Sequence, residues 1–257
     1  MKVSRNELTS LIKQALEGCG LAQGNYESAA AAMVWAQMLE LSPFTDVDIS
    51  LQQCADMRQA QIQLTPTSEQ ACEIKLVGQV GGARGVTALL WGQSVSDLIE
   101  AQMLHNGVCV ATICNVRDPL LGVKPMQDAQ AKGLWCFAYG ANPGCPDIIT
   151  HVRAQANQPA TEIIQYQLLG GDTMSTTELT VVYTQSEAEY RRQLGLHDHA
   201  NIENVIEQIT PQQMQTNYDG SLSEGIEFPE PLFQRLTHLA ANVLVESSAQ
   251  SRRGAGA

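Results

Sequence analysis

The chain has 257 residues, of which 44% are hydrophobic and 16% charged, values typical of a globular protein with a sizeable core. Its formal net charge of -12 disfavours nucleic acid and anionic membrane surfaces as partners, because both repel an acidic protein. No run of 18 apolar residues and no N-terminal secretory signal occur, so we expect a cytoplasmic protein with no membrane partner.

The first part of the chain predicts a helical hairpin. Ser4 and Glu7 have the spacing of a capping box, in which each side chain accepts a hydrogen bond from the other residue's backbone N–H, so a helix begins there. Residues 25–41 predict a second helix with an alanine-rich face suited to close packing, and residues 51–61 a third. We therefore assign residues 1–60 to an N-terminal helical segment.

Residues 61–257 are predicted to form an α/β core domain with a C-terminal helix. The first predicted elements of this domain are strands at 71–77, 108–114 and 134–139 and helices at 86–105 and 123–132. The run 108–114 is apolar throughout, which is typical of a strand buried on both faces of a sheet. Together with the next helix and strand it predicts a right-handed parallel crossover.

The remaining sequence predicts more strands and then helices. The predicted elements are strands at 162–168 and 179–184, helices at 187–194 and 201–208, a turn-rich segment at 217–221, a final helix with an apolar stripe from Leu232 to Leu244, and a short flexible tail at 247–257. We expect the two strands to extend the same sheet. This order of elements predicts an α/β fold with a mixed sheet, flanking helices and the N-terminal hairpin.

The cysteines and the apolar stripes allow two further predictions. The seven cysteines are an odd number without close pairs, which indicates reduced thiols in the core. The alanine face of the second helix and the stripe at 236–244 are equally suited to an interface between subunits, so we expect a homodimer.

Two pairs of residues are candidates for ligand binding. Arg117 and Asp118 follow the end of the predicted central strand, where α/β sheets bind ligands, and the alternative is a simple ion pair in a loop. Arg252 and Arg253 could hold an anionic ligand through their guanidinium groups, and the alternative is a disordered tail.

Other constellations favour a structural interpretation. His197 and His199 offer two imidazoles but no identifiable third ligand, so no metal site is predicted and a solvated turn is the interpretation. Cys145 and His151 have the residue types of a nucleophile and a base, but the surrounding prolines and glycine indicate a loop and no third member is identifiable. The glycines at 81–85 lack the spacing of a dinucleotide-binding fingerprint.

Both ends of the chain resemble a bacterial family of unknown function that begins with Val-Ser-x-x-Glu and ends with Ser-Arg-x-Gly-Ala-Gly. The matching residues here are Val3 to Glu7 and Ser251 to Gly256. More distantly, residues 1–41 and 85–142 are similar to the malate/L-lactate and ureidoglycolate dehydrogenase family in the order of their elements. This resemblance implies that family's fold. It also leaves NAD(P) open as a cofactor, because those enzymes bind nicotinamide without the glycine fingerprint.

The resemblance also identifies what has changed. A histidine in the loop after the central strand is the acid/base of those dehydrogenases, and Asp118 stands at its position. An arginine and a histidine near their substrate fall on Asp48 and on residues 42–44. An aspartate is ordinarily too acidic to serve as a base for an alcohol at neutral pH, and Asp48 would repel the carboxylate of a 2-hydroxy acid. The resemblance therefore implies that the dehydrogenase chemistry is lost.

Three functions are compatible with this sequence. The first is a non-dehydrogenase accessory or small-ligand-binding protein without a cofactor, which we favour because a fold does not dictate chemistry. The second is an enzyme with altered acid/base chemistry on a small metabolite, with Asp118 as the acid or base. The third is a residual NAD(P)-dependent oxidoreductase.

Overall fold

A computed structural model of the protein describes residues 1–41, 47–58, 60–77, 85–142, 144–156, 158, 160–169, 171–197 and 204–243. Within these residues the helices are α1 (Arg5–Gly18), α2 (Gln23–Met38), α3 (Val47–Met57), α4 (Ala88–Asn106), α5 (Lys124–Ala131), α6 (Glu187–His197), α7 (Pro211–Glu224) and α8 (Glu230–Ala240), with a short 3₁₀ helix at Pro119–Val123. The strands are β1 (Lys2–Val3), β2 (Gln61–Pro66), β3 (Ala71–Val77), β4 (Val86–Thr87), β5 (Val108–Cys114), β6 (Val116–Arg117), β7 (Trp135–Asn142), β8 (Cys145–Ala154), β9 (Glu162–Gln167), β10 (Glu178–Thr184), β11 (Val205–Ile209) and β12 (Ile226–Glu227).

The central feature of the described residues is an eight-stranded mixed sheet in the order β11-β9-β8-β7-β10-β5-β3-β2. Strands β3 and β5 are parallel, and the other neighbours are antiparallel. Helices α4 and α5 contact one face of this sheet, and α6 contacts the other. The predicted α/β fold with a mixed sheet, flanking helices and an N-terminal helical hairpin is confirmed.

The predicted parallel crossover is only half correct. Strands β5 and β7 do run in the same direction, but β10 lies between them and is antiparallel to both. Val181 pairs with Ala111 of β5 on one side and with Ala138 of β7 on the other. Strand β10 was predicted to extend this sheet. It does join the sheet, but in the middle, between β5 and β7, rather than at an edge.

Three local predictions in the second half of the chain are wrong. Residues 143–146 were interpreted as a loop, whereas β8 begins at Cys145 and forms a hairpin with β7. The helix predicted at 201–208 is strand β11 from Val205 onwards, because its backbone pairs with β9. The turn predicted at 217–221 lies within α7, where a complete capping box of Thr210 and Gln213 starts the helix and carries it through the turn-forming residues.

Most of the described part of the two stripes that suggested a dimer interface is already buried within the chain, although Val243 at the end of the second stripe is exposed. The alanine-rich face of α2, including Ala36 and Met33, is fully buried against neighbouring helices. Leu236 of α8 is likewise fully buried, and α8 packs on α1. Homodimerisation remains a prediction.

The N-terminal helices share one hydrophobic cluster with the sheet. Strand β1 also pairs with β12 near the other end of the described chain, at Val3 and Ile226. The division of the chain into an N-terminal helical segment and a core domain at residue 60 therefore remains a prediction. None of the described helices combines the length and the apolar character needed to cross a membrane.

Candidate functional site

A cavity of about 510 Å³, here called the main cavity, lies beyond the end of the central strand β5. It is lined by β6 and the 3₁₀ helix, by β7, β8 and β9, and by the segment that leads into β10. Ala138, Val152 and Leu179 form part of its wall and belong to the larger hydrophobic cluster, so the cavity lies on the sheet face that the N-terminal helices cover. Arg117 and Asp118 both line it, as expected for the carboxyl end of a central strand.

The chain reverses sharply after β5 to place these two residues. Asn115 and Asp118 adopt left-handed backbone conformations, with φ of 67° and 54°, which Asn and Asp tolerate better than most residues. Between them, β6 pairs in parallel with β4. A Cβ atom on Gly85 would lie 2.5 Å from the carbonyl oxygen of Val116, so only glycine allows β4 to approach this closely.

The Asp118 carboxylate is held by two hydroxyl groups. Ser50 donates from Oγ to Asp118 Oδ2 at 2.5 Å, and Thr87 donates from Oγ1 to the same oxygen at 2.9 Å. Ser50 and Thr87 are both buried. Hydrogen bonds donated to a carboxylate favour its ionised form. Asp118 therefore connects α3, the start of α4 and the loop after β5 through its Oδ2.

Gln53 forms a second connection beside it. Its side-chain nitrogen donates to the Gly85 carbonyl at 2.8 Å, and its Oε1 accepts from the Thr87 backbone N–H at 2.8 Å. Gln53 is fully buried and lies one turn after Ser50 on α3. The i, i+3 spacing of Ser50 and Gln53 was a visible signal of a shared face, but nothing in the sequence connected that face to Asp118.

Arg117 is close to Asp118 as well as to the cavity. The Nε atom of Arg117 lies 3.9 Å from Asp118 Oδ1, and each side chain is only 15% exposed. Both alternatives considered from the sequence, a pocket position and an ion pair in a loop, thus describe the same two residues. Their participation in ligand binding remains a prediction.

The rest of the described lining is uncharged. Its polar members are Asn142, Cys145, Thr150, Gln165, Thr176 and Thr177. Thr150 Oγ1 donates to Asn142 Oδ1 across the β7–β8 hairpin. Arg117 and Asp118 are the charged residues of this lining, and no histidine is part of it. Thr150 was missed in the sequence because β8 was not recognised as a strand.

The other residues singled out from the sequence lie elsewhere. Asp48 is exposed on α3 and lies 3.6 Å from Arg235 Nε on α8, and it is absent from the described cavity lining. Residues 42–44 and the candidates Arg252 and Arg253 lie outside the described residues. The ligand role of these two arginines stays a prediction.

The two remaining constellations are not brought together as active sites. Thr150 faces the main cavity, so its neighbour His151 points to the opposite sheet face, where it packs on Phe137 and Tyr139. Cys145 lines the cavity instead, and it is therefore separated from His151 by the sheet. His197 Nδ1 is hydrogen-bonded to the Tyr139 hydroxyl at 2.9 Å, and 198–199 lie outside the described residues.

Cys145 is the exposed cysteine among the seven, and we expect iodoacetamide to label it first in the folded protein. Burial raises the pKa of the Cys19 and Cys136 thiols, and desolvation also raises the pKa of half-buried Cys114. Because the thiolate is the reacting form, these thiols are slower targets. Peptide mass spectrometry over time measures the order of labelling, with urea-unfolded protein as the control in which all seven react. Earlier labelling of Cys114 than of Cys145 would contradict the exposure described above.

These features define an α/β protein with a mixed sheet and a cavity beyond the carboxyl end of its central strand. Residues 3–74 match the model of a family described as "Protein of unknown function (DUF3726)". The match supports the predicted resemblance at the N-terminal end and does not extend to residues 251–256. No curated protein matches the chain.

Several solved structures with a similar fold are named as dehydrogenases. The malate dehydrogenase of Pyrococcus horikoshii OT3 superposes with a TM-score of 0.62 at 12% identity, covering 96% of each chain. A dehydrogenase from Sinorhizobium meliloti superposes with a TM-score of 0.63 at 12% identity, covering 93% of this chain and 99% of that one. Sulfolactate dehydrogenase from Methanocaldococcus jannaschii superposes with a TM-score of 0.61 at 11% identity, covering 95% of this chain and 97% of that one. At these identities the likeness establishes the fold, and the predicted distant resemblance is confirmed at that level.

Proposed function

We propose that the protein binds an uncharged small metabolite in the main cavity and does not carry out hydride transfer. The observation that carries this proposal is the hydrogen bonding of the Asp118 carboxylate. It stands where the resemblance aligns the dehydrogenases' acid/base histidine, and its Oδ2 accepts hydrogen bonds from Ser50 and Thr87. A carboxylate stabilised in this way is a poor acceptor for the proton of an alcohol.

The charges and polar groups of the lining support a neutral ligand. Arg117 and Asp118 lie close enough to compensate each other, so the described wall presents no net charge to a bound molecule. Amide and hydroxyl groups of Asn142, Gln165 and Thr177 provide hydrogen bonds, and the aliphatic wall provides apolar contact. Pockets of this size and mixture are typical of small-molecule sites.

The described lining fits a nicotinamide dinucleotide poorly. A pyrophosphate group is usually held by cations or by the N-terminus of a helix. The one cation in the described lining is Arg117, which already lies beside Asp118. A residual NAD(P)-dependent oxidoreductase is nevertheless the competing function, because the structures with a similar fold are named as dehydrogenases.

A thermal-shift screen of NADH, NADPH and a panel of uncharged and charged metabolites tests this proposal. A ligand at 100 times its Kd stabilises the folded state by about 2.7 kcal/mol, which raises the Tm of a chain of this size by about 5–10 °C. We expect this response from an uncharged compound. The Gln165→Trp variant fills part of the main cavity and should abolish the shift, whereas Gln63→Trp on exposed β2 should leave it unchanged.

The same screen separates the alternatives. Saturable stabilisation by NADH or NADPH that is lost in Gln165→Trp would overturn the proposal in favour of an oxidoreductase. Turnover of a stabilising metabolite that disappears in Asp118→Asn would favour an enzyme with altered acid/base chemistry.

A further inference from the structure

A second cavity, here called the helical cleft, lies between α1, α2, α5 and α7 and has a volume of about 460 Å³. Trp35, Met38 and Met214 form its floor, Gln127 and Tyr218 line its sides, and Arg5 is exposed at its rim. It shares no lining residue with the main cavity. The function proposed above makes no use of it.

Two polar atoms in the lining residues of this cleft are buried without a hydrogen-bond partner among the described residues. They are the donor Trp35 Nε1 and the acceptor Gln127 Oε1. Buried polar groups are nearly always paired, as for the indole of Trp91, which donates to the Val86 carbonyl at 2.9 Å. Both atoms belong to lining residues of one cleft, so a molecule bound there would supply the missing partners after a small movement of the two side chains.

The cleft carries a local positive charge in an acidic protein. Its charged lining residues are Arg5, Lys13, Lys124, Glu27 and Asp128, three cations against two anions, whereas the whole chain has a net charge of -12. Lys124 is paired with Asp128, and Lys13 lies 4.0 Å from Glu27. Arg5 has no carboxylate partner within the described part of the chain. Its guanidinium is therefore available for an anionic group.

The remaining surface of the cleft favours an aromatic ring. Trp35 and Tyr218 offer ring faces and edges, and the thioether sulfurs of Met38 and Met214 make favourable contacts with aromatic groups. Trp35, Met38 and Met214 are each almost completely buried, so they form a fixed apolar base rather than a mobile surface. The volume lies in the range of small-molecule sites.

We propose that the helical cleft binds a planar aromatic carboxylate. The carboxylate pairs with the Arg5 guanidinium, the ring packs on Trp35 and Tyr218, and a polar substituent or carboxylate oxygen accepts from Trp35 Nε1. This site is independent of the main cavity and of its neutral ligand.

Isothermal titration calorimetry with naphthalene-2-carboxylate and its neutral analogue naphthalene-2-carboxamide tests the charge requirement. We expect the carboxylate to bind and the amide to bind at least tenfold more weakly. Arg5→Gln should weaken carboxylate binding about 10- to 100-fold, the size expected for a charge-assisted contact, and leave the amide unchanged. Arg191→Gln removes an arginine that is 75% exposed on α6 and should have no effect.

A nuclear magnetic resonance titration tests the open donor. The indole N–H signal of Trp35 is identified as the one missing from Trp35→Phe, and we expect it to move downfield with naphthalene-2-carboxylate while the other two indole signals stay in place. Failure of the carboxylate to bind overturns the proposal. Equal affinity in Arg5→Gln, or loss of binding in Gln165→Trp, also overturns it, the latter because the probe would then lie in the main cavity.

Discussion

Asp118→Ala lowers the free energy of unfolding by about 4–8 kcal/mol. The Ser50 and Thr87 hydroxyls lose their shared acceptor, and each hydrogen bond to a charged group contributes about 1.5–3 kcal/mol. Alanine must also adopt φ of 54°, which adds about 1–2 kcal/mol of strain. Urea-induced unfolding followed by circular dichroism measures the loss.

Asp118→Asn is the matched control for this prediction. Asparagine tolerates the left-handed backbone and keeps one oxygen that can accept from Ser50 or Thr87, so we expect a loss of about 1–2 kcal/mol. An unfolding midpoint of Asp118→Ala equal to that of the natural chain would show that the carboxylate is not a structural connection. Asp118 would then again be a candidate acid or base for catalysis.

Gly18→Ala is expected to destabilise the protein by about 3 kcal/mol. A Cβ atom at this position, at the end of α1, would lie 2.1 Å from the Leu239 carbonyl oxygen and 3.0 Å from its carbonyl carbon. Both are backbone atoms of α8, so relief requires the helix itself to move away from α1. Overpacking of this kind costs about 1–3 kcal/mol or more. The midpoint of urea unfolding checks the prediction.

Gly24→Ala provides the contrasting substitution. Gly24 lies in the first turn of α2, and an added Cβ would meet no atom within 4 Å. We expect stabilisation of up to about 1 kcal/mol, because alanine restricts the unfolded chain more than glycine. If Gly18→Ala and Gly24→Ala changed stability equally, the close contact of α1 with α8 would be wrong.

Elements with a strong local pattern were predictable from the sequence. The Ser4 hydroxyl accepts from the Glu7 backbone N–H as the capping pattern indicated, and α4 ends at Gly107 in a left-handed cap. The continuous apolar run of β5 is a buried central strand. In each case a few adjacent residues carry the whole signal, because caps and hydrophobic periodicity act within one or two turns.

Elements whose pattern depends on distant partners were not predictable. Strand β11 is exposed along most of its length, and its backbone pairing with β9 alone makes it a strand. Likewise, α7 contains Asn217 and Gly220 within a helix that also packs on α2. Tertiary contacts outweigh local propensities of this size.

The sequence by itself determined the fold class, the two N-terminal helices, the central strand and the position of Arg117 and Asp118 beyond its end. Only the tertiary structure decided that β10 separates β5 from β7, and that Asp118 is held by Ser50 and Thr87, which lie 68 and 31 residues away along the chain. It also decided which polar groups surround the two cavities. The physical reason is that a helix cap or a buried strand is encoded by neighbouring residues, whereas a strand order or a hydrogen-bonded carboxylate depends on groups that meet only after the chain has folded.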